Sequence, residues 1–422
     1  MMKKSVSPVY PKKILLMPFL ALVFHAGLAH AVDLENAYLL ALQNDPQFQA
    51  SKSERQATKA QAYQNWSAYI PTANISQQQY ATDVTSRRVA TFNVPLFDAE
   101  KAAQVAQGNS RNQYAEQNFR VKMQDLAQRL LKAVNQLILT GEALRANRGR
   151  VVALEGQFKA AQRKYEGGLG TVTDLRDIEV KFNMAKADDL TLAVQKKIAA
   201  RQLAMITGIA PNEAEFILPN SHADHPLPSM DSVLSRVRES NPTIMTAREQ
   251  ESIAKYDIAR ASGQVLPTVS YTHLRTEYQN TITWNDGVTV MIPIQTGSYI
   301  NTYGMAKKYS QASSQREDAE AKTQLDAERY YSLSETGLLA VKIKRSAVDS
   351  AQLSVEANQK SFTAGVRSTT DVLNSIQVLF QTKNEYAQAV AAQAESYLNL
   401  LLVQNEDPAL AMRQTQTFLF RK

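Results

Sequence analysis

A chain of 422 residues without a cysteine has no disulfide, no thiolate metal site, no cysteine nucleophile and no cysteine for an N-terminal lipid anchor. Its formal charge is +7, yet Lys3, Lys4, Lys12 and Lys13 all lie in the first 31 residues; the remainder is only weakly basic and offers no footprint for nucleic acid. Only 15 glycines and 14 prolines interrupt a composition rich in Ala, Gln, Lys, Glu and Leu, which favours long helices over an ordinary compact domain.

Residues 1–31 read as a secretory signal: the lysines, the apolar run Ile14 to Leu28, then Ala29-His30-Ala31 in the small-x-small cleavage pattern. The mature chain is expected to begin at Val32. Beyond it no apolar run reaches the ~18 residues of a membrane helix, so strands must make any passage through a bilayer. A first unit, 32–210, opens with a helical stretch, Leu34 to Ala68, broken early by Asn44-Asp45-Pro46 and ended at Ile70-Pro71. Residues 71–97 then change character. Thr72 to Tyr80 is rich in Thr, Ser, Asn and Gln, and Ala90 to Leu96 alternates apolar with polar, which predicts a β-hairpin long enough to span. Asp98 to Lys164 is polar, periodic and proline-free and predicts a helix on the order of 100 Å long, with Gly108, Gly141, Gly149 and Gly156 interrupting its pattern.

The stretch Tyr165 to Leu175 predicts the tip of a helical hairpin. Gly168 suits the left-handed end of a helix, Leu169 stands at the exposed apex, and Thr173-Asp174 suits the first turn of the next helix. In the return helix, Leu175, Ile178, Phe182, Ala185, Leu192, Ala199, Leu203 and Ile206 keep coiled-coil spacing around Asp189 and Lys196, and Thr207-Gly208 closes it. A proline-containing linker, 211–229, follows. His222 and His225 have metal-compatible spacing there, but no third ligand lies nearby in sequence and no metal site is expected.

A second unit, 230–410, repeats the first. Ser240-Asn241-Pro242 answers Asn44-Asp45-Pro46, Leu266-Pro267 answers Ile70-Pro71, and Val288, Val290, Ile292 and Ile294 answer Ala90, Phe92, Val94 and Leu96. The chain is a tandem duplication of units of roughly 200 residues, far longer than a solenoid repeat. Its second β-hairpin occupies 267–295. Asn285-Asp286-Gly287 is the stronger local turn signal, but a turn there leaves the fourth strand too short to span, which places it nearer Gln279-Asn280. Trp284 and Tyr278 are candidates for an interfacial girdle. A second long helix runs from Gly297 to Ser361, a second tip from Phe362 to Leu373 with Gly365 and Val366 in the places of Gly168 and Leu169, and a second return helix carries Val372, Ile376, Leu379, Tyr386, Val390, Tyr397 and Leu401 around Lys383 and Gln393. Residues 411–422 are set apart as a C-terminal tail.

The predicted fold is thus mainly α with a membrane β-barrel: tandem long helical hairpins plus four strands per chain. Four strands close no barrel, since single barrels start at eight, so the chain is expected to oligomerise; three copies would give twelve strands. The order and doubling of Asn44-Asp45-Pro46, Leu266-Pro267-Thr268, Tyr165 to Leu175, Phe362 to Asn374 and Asn384-Glu385-Tyr386 resemble the TolC family of outer-membrane channel-tunnels over the whole mature chain. The resemblance implies a homotrimer whose barrel sits among outer-membrane lipid. It also implies a helical cylinder that crosses the periplasm to meet a periplasmic adaptor and an inner-membrane ABC or RND transporter, with no cofactor.

By that resemblance Gly168, Leu169, Gly365 and Val366 are the adaptor contacts, and Thr173, Asp174, Arg367 and Asp371 form the gate at the periplasmic mouth. Within that gate the resemblance makes Arg367, Thr173 and Asp174 closing bonds between neighbouring hairpins and Asp371 an acidic ring on the pore axis; two positions depart from the family pattern, Phe362 standing where a tyrosine hydroxyl would join the latch and Asn374 where a second acidic ring would lie. No nucleophile and base pair, phosphate loop or close carboxylate constellation marks an enzyme. The expected function is export without chemistry, leaning towards type I protein secretion over small-molecule efflux; the rival of another class is a periplasmic coiled-coil adaptor or scaffold.

Overall fold

The computed structural model describes residues 33–79, 86–219, 227–278, 281–294 and 297–420. The signal segment, His222, His225 and the Gln279-Asn280 turn lie outside the described residues. The first helical stretch is two helices, α1 (Leu34–Asn44) and α2 (Pro46–Trp66). The break follows from Asp45, whose carboxylate accepts from Phe48 N at 2.9 Å while Pro46 fills the first helical position, where no backbone donor is needed. Strands β1 (Thr72–Gln79) and β2 (Ser86–Phe97) come next, then α3 (Ala99–Glu166) and α4 (Val172–Thr207). The second half supplies α5 (Met230–Ser240), α6 (Pro242–Gly263), β3 (Thr268–Tyr278), β4 (Thr281–Met291), α7 (Gly297–Thr363), α8 (Thr369–Val403) and α9 (Pro408–Leu419). Asn241 repeats the cap of Asp45, accepting from Thr243 N and Ile244 N ahead of Pro242. In both halves an asparagine at this break ties down the far end of the return helix: Asn44 donates to Thr207 O and Asn241 to Val403 O, each at 2.8 Å.

Despite its glycines α3 is one continuous helix of 68 residues, about 100 Å of rise. Gly108 is there for a close approach: a Cβ at that position would stand 2.5 Å from the Trp66 indole. The return helices bury the expected stripes. Ile178, Phe182, Ala185, Ala199, Leu203 and Ile206 are buried on α4, and Val372, Ile376, Tyr386, Val390 and Tyr397 on α8. Of the polar interruptions, Lys196 reaches Glu213 at 2.9 Å, and buried Gln393 donates to Ser334 O at 3.0 Å. Below the strands α4 packs on α3, α3 on α8 and α8 on α7, which sets the order α4-α3-α8-α7; nearer the strands α2, α3, α6 and α7 stand side by side.

That order leaves α4 and α7 at the two flanks. Each carries a further apolar stripe, exposed in the single chain: Val180, Met184, Val194, Ile198 and Met205 on α4, and Leu325, Leu339, Ile343 and Leu353 on α7. Their spacings, 4, 10, 4 and 7 on α4 and 14, 4 and 10 on α7, are sums of three- and four-residue steps, so each set lies along one side of its helix, with polar residues such as Ser332, Thr336, Ser346 and Ser350 between them on α7.

The largest core lies at mid-height, where Leu130, Val134, Leu137 and Ile138 of α3 meet Leu203 of α4, Val390, Ala394 and Leu398 of α8, and Leu34 and Tyr38 of α1. Of the stretch expected as a tail, the described residues 411–420 are folded in. They supply most of α9, whose Ala411, Met412, Phe418 and Leu419 are fully buried in this core, and Gln416 accepts from Leu34 N at 2.8 Å.

The four strands form one antiparallel sheet in chain order. The turn signal Asn285-Asp286-Gly287 lies inside β4, which pairs with β3 from Met291 to Thr281, while Ile292 and Ile294 fall beyond the strand's end. Register divides the sheet into two faces, because directly paired residues share a side. One face carries Ile75, Phe92, Val94, Tyr271, Trp284, Val288 and Val290, with His273 hydrogen-bonded to Asp286 and Arg275 beside Glu277. The other carries Thr72, Asn74, Ser76, Thr91, Asn93, Thr272, Thr276, Thr283 and Asn285; among its described residues Arg87 is the one charge. Trp284 and Tyr278 therefore do not share a girdle: the first lies on the apolar face, the second on the polar one.

Candidate functional site

The two hairpin tips are built alike. At the end of α3, Gly168 takes φ +73° and Leu169 N donates back to Lys164 O at 2.8 Å; at the end of α7, Gly365 takes φ +79° and Val366 N donates to Ser361 O at 2.9 Å. The left-handed glycine lets the chain reverse while the last carbonyls stay satisfied. The reversal turns Leu169 and Val366 outward, 85% and 78% exposed. Each tip thus presents one exposed apolar side chain at its apex.

The caps of the following helices lie nearer the apex than Thr173-Asp174 suggests. Thr171 caps α4, its oxygen accepting from Asp174 N at 3.1 Å while its hydroxyl donates to Asp174 Oδ2 at 2.6 Å. Ser368 caps α8 in a reciprocal box: its Oγ accepts from Asp371 N at 3.2 Å, and its own N–H donates to Asp371 Oδ2 at 3.1 Å. The signal was present as a hydroxyl residue three before an acid, Thr171 with Asp174 and Ser368 with Asp371. These bonds from Ser368 hold the Asp371 carboxyl below its ordinary value of 3.8, and Arg367, 3.9 Å away in the same chain, adds to the effect.

The four gate candidates therefore divide by tip. Asp174 is engaged with Thr171 at the first and Thr173 is exposed there, while Arg367 and Asp371 face each other at the second. Among the described residues no hydrogen bond or ion pair joins one tip to the other. What does join them is a contact with no short-range sequence signal: the Lys164 ammonium of α3 lies 3.9 Å from the centroid of the Phe362 ring of α7. Below the mid-height core a smaller one, Leu154, Phe182, Ala185, Val355, Val372 and Ile376, spans both hairpins, and Phe362 packs on its edge. The described residues hold no cluster of His, Asp and Glu that could bind a metal ion and no helix apolar and long enough to cross a membrane.

Comparison with known proteins places this geometry. The family model described as outer membrane efflux protein matches residues 37–209 and again 233–405. The chain is 26% identical to the alkaline protease secretion protein AprF of Pseudomonas aeruginosa, covering 86% of this chain and 82% of that one. It is 25% identical to the proteases secretion protein PrtF of Dickeya chrysanthemi, covering 92% and 91%. Its fold is similar to the crystal structure of the outer membrane protein VceC of Vibrio cholerae, at 13% identity and a TM-score of 0.73 over 88% of this chain and 96% of that one. The doubled helical hairpins, the four-stranded sheet and the twofold family match converge: the chain belongs to the outer membrane efflux proteins, non-catalytic transport channels seated in the outer membrane with their helical part in the periplasm.

Proposed function

We propose that three copies of this chain close into a duct for type I protein secretion, with a twelve-stranded barrel in the outer membrane and a cylinder of twelve helical passes below it. The observation that carries the reading is the pair of open flanks. Strands β1 and β4 each have one unpaired edge, and α4 and α7 each expose a second coiled-coil seam, so the same chain offers complementary left and right sides. A head-to-tail contact of this kind builds a ring when its rotation closes, as the proposed trimer requires. The face rich in Thr, Asn and Ser then lines the barrel, a mostly neutral polar wall in which Val89 and Leu274 are scattered and Arg87 is the one charge among the described residues.

The tips are the inner mouth. Leu169 and Val366, beside Gly168 and Gly365, are the docking points for a periplasmic adaptor that links the duct to an inner-membrane ABC transporter. Thr173 and Asp174 meet Arg367 of a neighbouring hairpin as the gate, and Asp371 rings the pore axis. Solvated pairs of this sort contribute only about 0 to 1 kcal/mol each, which suits a closure that docking must undo. Protein cargo is favoured over small molecules because AprF and PrtF, two of the similar chains, are named for protease secretion.

The test is deletion of the gene with two readouts. Loss of one or more proteins from the culture medium, with unchanged susceptibility to small toxic compounds, is the expected result. The reverse pattern assigns the chain to drug efflux with an RND-type pump.

A further inference from the structure

The joint between the two hairpins of one chain changes character along its length. At mid-height it is fused: Leu130, Val134 and Ile138 of α3 share a core with Val390 and Leu398 of α8. Towards the tips that core narrows to Leu154 of α3 against Val355, Val372 and Ile376, and polar residues of α3 flank it. Arg150, Gln157 and Lys164 recur every seven residues, so they share one side of the helix. Arg150, its side chain only 9% exposed, places its guanidinium 5.2 Å from the centre of the Phe380 ring of α8 while bonding Asp188 of its own hairpin at 3.1 Å. The side-chain oxygen of Gln157 is out of solvent and accepts no hydrogen bond among the described residues. Lys164, at the last turn, lies 3.9 Å over Phe362. Two cations on one helix thus each meet an aromatic face on the other hairpin, and Phe362 has no hydroxyl to make the bond a tyrosine would make there.

We infer that cation–π contacts, Lys164 on Phe362 assisted by Arg150 on Phe380, fasten the two hairpins of one chain near the tips, so that positive charge on α3 holds the second tip in the closed position. The inference rests on the tips being the channel's inner mouth. It adds Lys164 and Phe362 to the groups that position the gate, and it makes this closure depend on an aromatic face and a cation instead of a carboxylate. The interaction is strongest when the cation sits over the ring face, which the 3.9 Å separation satisfies.

The experiment is single-channel conductance of the purified full-length protein in planar bilayers, for wild type, Lys164→Met, Lys164→Arg, Phe362→Leu, Phe362→Trp, the double variant Lys164→Met with Phe362→Leu, and Arg367→Ser as a gate control. Lys164→Met and Phe362→Leu are expected to raise conductance at least twofold, the double variant no further than either alone, and Lys164→Arg and Phe362→Trp are expected to behave as wild type. Lys164 is exposed, so its replacement leaves the fold intact. An unchanged conductance in Lys164→Met while Arg367→Ser opens the channel overturns the fastening and leaves the mouth in place. Conductance unaffected by every tip variant, Arg367→Ser included, overturns both. Single effects that multiply in the double variant show two independent contributions and also overturn the contact.

Discussion

At the residue scale the tips concentrate the chain's most consequential choices. Gly168 and Gly365 sit at positive φ, where an L-residue costs on the order of 1–2 kcal/mol, so Gly365→Ala is expected to loosen the second tip. Faster amide exchange across 361–368, with the mid-height core unchanged, is the corresponding measurement. Val366 contributes nothing to the core, so Val366→Asp is expected to abolish adaptor capture in a pull-down while leaving the chemical unfolding midpoint within error. Asp371 has a pH signature. Its carboxyl is held below the ordinary value of 3.8 by Ser368, so the capping contribution is complete above that value and is lost as pH falls through the lowered one. Amide exchange at the start of α8 is expected to accelerate only below about pH 4, and Ser368→Ala is expected to bring the faster rate to neutral pH. The glycines and acids of this motif are legible in sequence because each acts within four residues of itself. The contact of Lys164 with Phe362 is not, since it depends on how helices nearly 200 residues apart are set against each other.

At the scale of elements the duplication explains why so much of the layout can be read from the residues alone. Asp45-Pro46 and Asn241-Pro242 each bring an N-cap and a fixed φ to the same turn, and the long helices lack any competing signal. Alternation marks β2 well, whereas β4 conceals Asn285-Asp286-Gly287 in mid-strand, because pairing with β3 outweighs local turn preference. The last helix was the least legible element. Nothing between Ala411 and Lys422 distinguishes a tail from a buried helix until Phe418 and Met412 meet α1 and α3 in one core. Phe418→Ala removes a side chain with no exposed surface and is expected to cost about 3–5 kcal/mol, read as a lowered denaturant midpoint. Tyr38, also buried there, donates its hydroxyl to Met123 O at 3.1 Å; burial raises its pKa well above the ordinary 10.0, so no ionisation disturbs this joint at physiological pH.

At the scale of the whole molecule the proposed assembly puts the exposed stripes of α4 and α7 to the test. Ile198→Glu and Leu339→Glu place a charge in the middle of each exposed stripe, and either is expected to leave a helical monomer in detergent where wild type elutes as a trimer, measured by light scattering with circular dichroism as the control for folding. Inside one chain the helices share a large core at mid-height and a smaller one nearer the tips, beyond which the proposed cation–π contacts contribute about 0.5–1 kcal/mol each. Rigidity is therefore greatest where the chain is thickest and least at the mouth.

The outer edge of the sheet bears on how the chain survives before it assembles. Strand β1 reads Thr72-Ala73-Asn74-Ile75-Ser76-Gln77-Gln78-Gln79, with Ile75 its one large apolar side chain. Until a second copy arrives, its unpaired amides and carbonyls are a template for any stray strand, the usual starting point of aggregation. A strand so poor in apolar surface gives an intruder little to bury, whereas β4 brings Trp284, Val288 and Val290 to the seam. In the proposed assembly each seam thus joins a polar edge to an apolar one, so that the exposed apolar edge is β4 alone and a charge introduced there, not on β1, would lower its tendency to recruit stray strands.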